Sequence, residues 1–156
     1  SCFGGGIQLA LGADIRIATP DAKLSIMESK WGLIPDMGGT VPLRELLPLD
    51  VVKELVFTGR ILSGEQAHAL GLVTHLAADP VAKAKELLAE IFTRSPDAIA
   101  AGKILLQEAW WDSEGGALAA ERRWQRRIIN RGNQKIAIEN NIKKSGKPYL
   151  PRKVNP

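Results

Sequence analysis

The chain has 156 residues, 45% of them hydrophobic and 24% charged, with a formal net charge of +4. These values fit about one globular domain with its own core, and no stretch is apolar and long enough to span a membrane. The single cysteine, Cys2, excludes an internal disulfide framework and fits a reducing cytoplasm. The modest positive charge suits an anionic small molecule as well as a nucleic acid.

The chain opens on Cys2-Phe3-Gly4-Gly5-Gly6-Ile7-Gln8, without an initiator methionine and without a strand before the glycines, and reads as a sequence lacking its N-terminal portion. Gly5 to about Gly12 reads as a short buried helix, because Ile7, Leu9, Ala10 and Leu11 leave little polar face. Glycines leading into a helix leave bare amides at its N-terminus, where negative charge is stabilised. Ala13 to Ala18 alternates, with Ile15 and Ile17 on one face, and Lys23 to Met27 alternates with Leu24 and Ile26 inward. Both read as strands, separated by the Thr19-Pro20-Asp21 turn, and the second delivers Glu28 at a strand end. Asp36 follows in a second Gly-rich turn. An anion-stabilising amide with carboxylates nearby is a minimal kit for proton transfer at a carbon next to a carbonyl.

Helices are expected over 41–47 and 49–58, split by Pro48, and after Ser63-Gly64-Glu65-Gln66, which fits a capping box. That helix ends at Gly71, and 72–76 reads as a short strand. Asp79-Pro80 and Ser95-Pro96 each place a capping residue before a proline at the first helical position, starting helices over 80–93 and 96–110. Two more, over 114–131 and 134–144, precede a proline- and lysine-rich tail, 146–156, read as irregular. His68 and His75 lack the cluster a metal needs, and Trp110, Trp111 and Trp124 read as core or interface residues. The arginines at 122, 123, 126, 127 and 131 form a basic helix surface, read first as a solvated face pairing with Glu121 or a neighbouring subunit. No aromatic platform is interleaved for stacking bases, so the chain does not point to nucleic acid.

The ordered series Gly4-Gly5-Gly6, Gly12-Ala13-Asp14-Ile15-Arg16-Ile17-Ala18, Ala22-Lys23-Leu24-Ser25, Glu28, Gly32-Leu33-Ile34-Pro35, Gly38-Gly39-Thr40, Thr58-Gly59-Arg60, Ser63-Gly64-Glu65-Gln66-Ala67 and Gly71-Leu72-Val73 resembles the crotonase, or enoyl-CoA hydratase/isomerase, superfamily. It covers about the first half of the chain. The resemblance implies an α/β fold: residues 1–76 as the C-terminal part of a crotonase-like ββα spiral core, 77–145 as a helical trimerisation region, and 146–156 as an irregular tail. It implies an acyl-CoA thioester as substrate, a homo-trimer or hexamer as assembly, and no cofactor or metal, coenzyme A being part of the substrate.

Residue by residue, Gly5 matches the glycine whose amide forms half of an oxyanion hole; the other half comes, in the family, from an amide upstream. Glu28 matches the family's second catalytic glutamate, and Gln8 stands where the first would be. A carboxamide cannot take or give a proton at neutral pH, which leans the chemistry from hydration toward double-bond isomerisation. Asp36 lies where dienoyl-CoA isomerases also carry aspartate, and is expected as a second acid. Gly4, Gln8, Pro35 and Gly38 are expected to contact substrate. Of Lys143, Lys144 and Lys147, Lys144 is taken as the CoA-phosphate contact, by loose analogy.

Overall fold

The computed structural model describes residues 1–154, and the chain divides into two units, Ser1–Lys85 and a second from Glu86 onward. The first unit begins with β1 (Cys2–Phe3), α1 (Gly5–Leu11), β2 (Ile17–Ala18) and β3 (Lys23–Ser25), followed by a 3-10 turn over Glu28–Trp31. It continues with α2 (Thr40–Leu46), α3 (Leu49–Thr58), β4 (Leu62–Ser63), α4 (Gly64–Leu70) and β5 (His75–Leu76). A strand does feed the glycine turn: β1 pairs in parallel with β3, with Cys2 opposite Leu24 and Phe3 opposite Ser25. β3 pairs on its other edge, antiparallel, with β4, and β2 pairs in parallel with β5. Parallel neighbours need a crossover, and α1 supplies it between β1 and β3.

The expected strand over 13–18 contracts to Ile17–Ala18, and Ile15 is 43% exposed rather than inward. The Arg16 side chain explains this. It donates from Nη1 to the Ala13 carbonyl at 2.6 Å and from Nε to the Leu72 carbonyl at 2.7 Å, folding 13–16 away from extended pairing. The expected strand over 72–76 contracts to His75–Leu76, because the Leu72 and Val73 amides return to the Ala67 carbonyl at the end of α4. Leu24 and Ile26 are buried as their alternation requires, in a core shared with Ile7, Leu43, Leu55 and Leu62.

Helix starts lie where their caps put them. Ser63 Oγ accepts from the Gln66 amide at 3.1 Å, and Gln66 Oε1 accepts from the Ser63 amide at 2.9 Å, closing the capping box reciprocally. Ser63→Ala is expected to cost about 1 kcal/mol of stability, read as a lower thermal midpoint of the intact chain. His68 Nδ1 lies 3.0 Å from the Val73 carbonyl, so this histidine ties the end of α4 to the following segment.

α5 (Pro80–Phe92) runs from the first unit into the second. It starts on Asp79, whose Oδ1 accepts from the amides of Val81 and Ala82 at 3.0 Å. The second unit adds α6 (Pro96–Ala109), α7 (Glu114–Ile128) and α8 (Gly132–Lys143). Trp124 is buried with Ala101 and Val154, and its indole N–H donates to Glu108 Oε2 at 2.8 Å. Arg123 donates to the same oxygen, and the Arg127 guanidinium lies 4.4 Å over the Trp124 ring. The arginine face is therefore partly committed to α6 and to its own tryptophan, with Glu108 rather than Glu121 as the acidic partner. The indole N–H, joined by Arg123, holds the Glu108 carboxyl below the usual carboxylate range against its desolvation.

The tail has no regular secondary structure but is strapped down. Asp97 Oδ1 accepts from the amides of Lys153 at 2.6 Å and Val154 at 2.9 Å, and its Oδ2 accepts from Asn133 Nδ2 at 2.8 Å. Asn133 in turn grips Leu150, donating to its carbonyl and accepting from its amide.

Candidate active site

The site is built where β1 runs into α1. Gly4 has φ +53°, a conformation that favours glycine, and its amide is spent on the Ser25 carbonyl at 2.9 Å. Its missing side chain matters more: a Cβ there would lie 3.6 Å from Glu28 Oε1. Gly5 is the first residue of α1, so its N–H has no acceptor within the helix. Met37 lies over Gly5, with Sδ 2.5 Å from where a Cβ would sit.

Glu28 is not at a strand end. The strand stops at Ser25, the chain turns, and Glu28 opens the 3-10 turn closed by Gly32 in the left-handed region at φ +69°. The turn carries the carboxyl inward, and Glu28 is only 7% exposed. Gln8, on the buried face of α1 and 3% exposed, donates from Nε2 to Glu28 Oε1 at 2.5 Å. The carbonyl oxygen of the same carboxamide accepts from the Met37 amide at 2.9 Å and the Gly39 amide at 3.2 Å. Glu28 Oε2 has no hydrogen-bond partner, and among the described residues no other buried side-chain nitrogen or oxygen is in that condition. Leaving such a group unpaired costs about 1–3 kcal/mol, and the usual reasons for keeping one are catalysis or an absent ligand.

Asp36 is exposed, one residue before the amide that Gln8 holds, and Pro35 is half-buried. Gly38 is exposed at φ +82°. Lys144 stands in the second unit, exposed, at the C-cap of α8 with φ 52°. The structure thus brings Gly4, Gly5, Gln8 and Glu28 together, with the 37–39 loop bonded to Gln8. Burial pushes the Cys2 thiol above its usual value, with the N-terminal ammonium pulling the other way, which disfavours a thiolate nucleophile there.

One carboxyl beside a glycine-rich helix start, on parallel strands joined by a helix, is the geometry to set against known proteins. The pattern of the enoyl-CoA hydratase/isomerase family matches residues 1–149. The chain belongs to that family. Over 110 residues it is 41% identical to human "Enoyl-CoA hydratase domain-containing protein 2, mitochondrial", a match covering 67% of this chain and 38% of that protein. It is 35% identical over 112 residues to mouse mitochondrial methylglutaconyl-CoA hydratase, covering 68% of this chain and 36% of the relative. The crystal structure of an enoyl-CoA hydratase from Polaromonas sp. JS666 superposes with a TM-score of 0.88 at 31% identity, covering 96% of this chain and 59% of that one. A Thermobifida fusca YX protein of the enoyl-CoA hydratase type, solved with acetoacetyl-CoA, superposes at 0.78 with 34% identity, covering 82% and 51% of the two chains. The chain therefore spans less than half the length of these two curated relatives. Its fold is α/β, of the crotonase type.

For a member of the enoyl-CoA hydratase/isomerase family, the pairing of Gln8 with Glu28 is the distinguishing feature of this site. Reading the sequence missed two of its parts, the Met37 and Gly39 amides. Backbone donors leave no signature in residue identity. The Gly38-Gly39 pair was the available hint, since a Cβ on Gly39 would lie 2.7 Å from Gln8 Cγ.

Proposed function

We propose that the protein containing this chain moves the double bond of an enoyl-CoA thioester, with Glu28 as the single acid/base. The supporting observation is the Gln8 Nε2 to Glu28 Oε1 bond at 2.5 Å, which puts a carboxamide where a second carboxyl would have to act. Glu28 takes a proton from the carbon next to the thioester carbonyl. The C–H electron pair moves into a carbon–carbon double bond, and the carbonyl oxygen becomes an enolate oxygen facing the Gly5 N–H. Return of the proton at the far carbon completes the shift. Asp36 is proposed as a second acid, Gly4, Gln8, Pro35 and Gly38 as substrate contacts, and Lys144 as the CoA-phosphate contact. No separate cofactor is proposed; coenzyme A enters as part of the substrate.

The human and mouse relatives carry hydratase names, which favours a second reading: addition of water through Glu28. Product analysis in heavy water separates the two. Migration of the double bond without gain of a hydroxyl supports isomerisation, and gain of a hydroxyl supports hydration. Thioester binding with neither product overturns both and favours a binding or scaffold protein.

Residues 1–156 alone are proposed to be inactive, since they carry one of the two oxyanion donors the family uses. Losing one donor typically costs about 10²–10³ in rate, and full turnover by the purified chain would overturn this. Assembly as a trimer or hexamer is supported by α5, which has no buried residue, leaving Leu88 and Phe92 exposed. The cytoplasm is proposed from the lone cysteine; the human and mouse relatives carry mitochondrial names. Among the described residues, no helix is long and apolar enough to cross a membrane.

A further inference from the structure

We propose that Gln8 is a positioning residue that makes the two oxygens of Glu28 inequivalent and selects Oε2 as the atom that carries the proton. This deepens, and rests on, the reading of Glu28 as the acid/base.

The direction of the Gln8 carboxamide is fixed by chemistry. Its oxygen receives two backbone N–H donors, from Met37 and Gly39. Turned over, its NH2 would face those two N–H groups, and donors do not pair with donors. With the oxygen committed, the nitrogen points at Glu28 Oε1. That oxygen is further enclosed by Gly4, where a Cβ would lie 3.6 Å away. Oε1 is thus occupied in the resting site, whereas Oε2 is buried and unpartnered.

Proton transfer follows from this asymmetry. The carbon–hydrogen bond breaks, an O–H bond forms at Oε2, and the electron pair passes to the enolate. Reversal at the second carbon frees Oε2 again. Gln8 neither gains nor loses a proton; its bond to Oε1 stops the carboxyl from rotating and offering the wrong oxygen.

Gly39 is part of the same device. Its φ of −61° is open to any residue, so backbone freedom does not require glycine there. Space does: a Cβ would lie 2.7 Å from Gln8 Cγ and 2.9 Å from Oε1. Gly39→Ala therefore displaces the carboxamide without altering Glu28 or the charge of the site.

The test uses the natural polypeptide that carries these residues and has two readouts. The first is exchange of the α-proton of an acyl-CoA thioester with heavy water. Gly39→Ala and Gln8→Met are each expected to lower kcat about 10- to 100-fold, as for a small misplacement of a reacting group, with KM held within about twofold. The second is the side-chain NH2 signal of Gln8 in the 15N-labelled protein. It is expected to exchange with solvent at least about tenfold more slowly than that of the exposed Gln107, and to lose this protection in Gly39→Ala. Unchanged kcat in both variants overturns the proposal. So does a Gln8 amide that exchanges as fast as Gln107; α-proton exchange by the unsubstituted protein would then leave the acid/base reading standing. No α-proton exchange in the unsubstituted protein, with the Gln8 amide protected, overturns the acid/base reading itself and reduces Gln8 to a structural clamp.

Discussion

Glu28→Gln is expected to lower turnover of an enoyl-CoA thioester by about 10²–10⁴-fold, the range associated with a positioned acid or base. The substitution is nearly isosteric and leaves its surroundings in place. Gln8 Nε2 can still donate to the remaining carbonyl oxygen, so the bond now 2.5 Å long has an acceptor after the change. The new NH2 takes the position of Oε2, already without a partner, so no bond is lost there. Folding and thioester affinity are expected to stay near their unsubstituted values, while the capacity to accept a proton at neutral pH disappears. Steady-state kcat, measured beside equilibrium binding of the thioester, separates these effects. Turnover within about twofold of the unsubstituted protein would remove Glu28 from the chemistry, since a lost general base is not a twofold effect.

How much of this was legible beforehand depended on the range of the interactions involved. Helix starts were legible because caps are local: Ser63, Asp79 and Ser95 each bond an amide two or three residues ahead. The strands were not, because they are two or three residues long and held by distant partners, as Ile17 is by His75. Alternation over 13–18 suggested a longer strand, but Arg16 bonding back to Ala13 turns the segment before pairing begins. The family resemblance supplied Gly5, Gln8 and Glu28 as residues. It did not supply their contact, which depends on a 3-10 turn after β3 and on two amides of the 37–39 loop. The tail shows the same limit. Its prolines and lysines correctly suggest irregular backbone, yet composition cannot reveal that Asp97 and Asn133 hold Leu150–Val154 in place.

That strap carries the largest stability effect expected of a single polar substitution in the second unit. Asp97 is 6% exposed and accepts three hydrogen bonds, two from backbone amides and one from Asn133. Asn133 cannot turn over to suit a changed partner, because its carboxamide is held at both ends by Leu150. Asp97→Asn therefore sets an NH2 donor against the Asn133 NH2 or against the amides of Lys153 and Val154. With bonds to a charged acceptor worth about 1.5–3 kcal/mol each, the expected cost is about 3 kcal/mol. Val154 packs in the small core with Trp124, so release of the tail is expected to shift the Trp124 indole N–H resonance and to expose the amides of 150–154 to exchange. The pH dependence has a definite sign. Burial pushes the Asp97 carboxyl up, but the amides of Val154 and Lys153, Asn133 and the Lys153 charge together outweigh it and hold it below its usual value. A carboxyl depressed by folding stabilises fully above its unfolded pKa of about 3.9 and loses that contribution as pH falls toward the folded value. The tail is thus expected to stay docked at neutral pH and loosen below about pH 4. In Asp97→Asn the tail signals are expected to be shifted already at neutral pH and to show no transition of this origin in acid. A variant that retains the same acid transition would place its cause in another carboxyl.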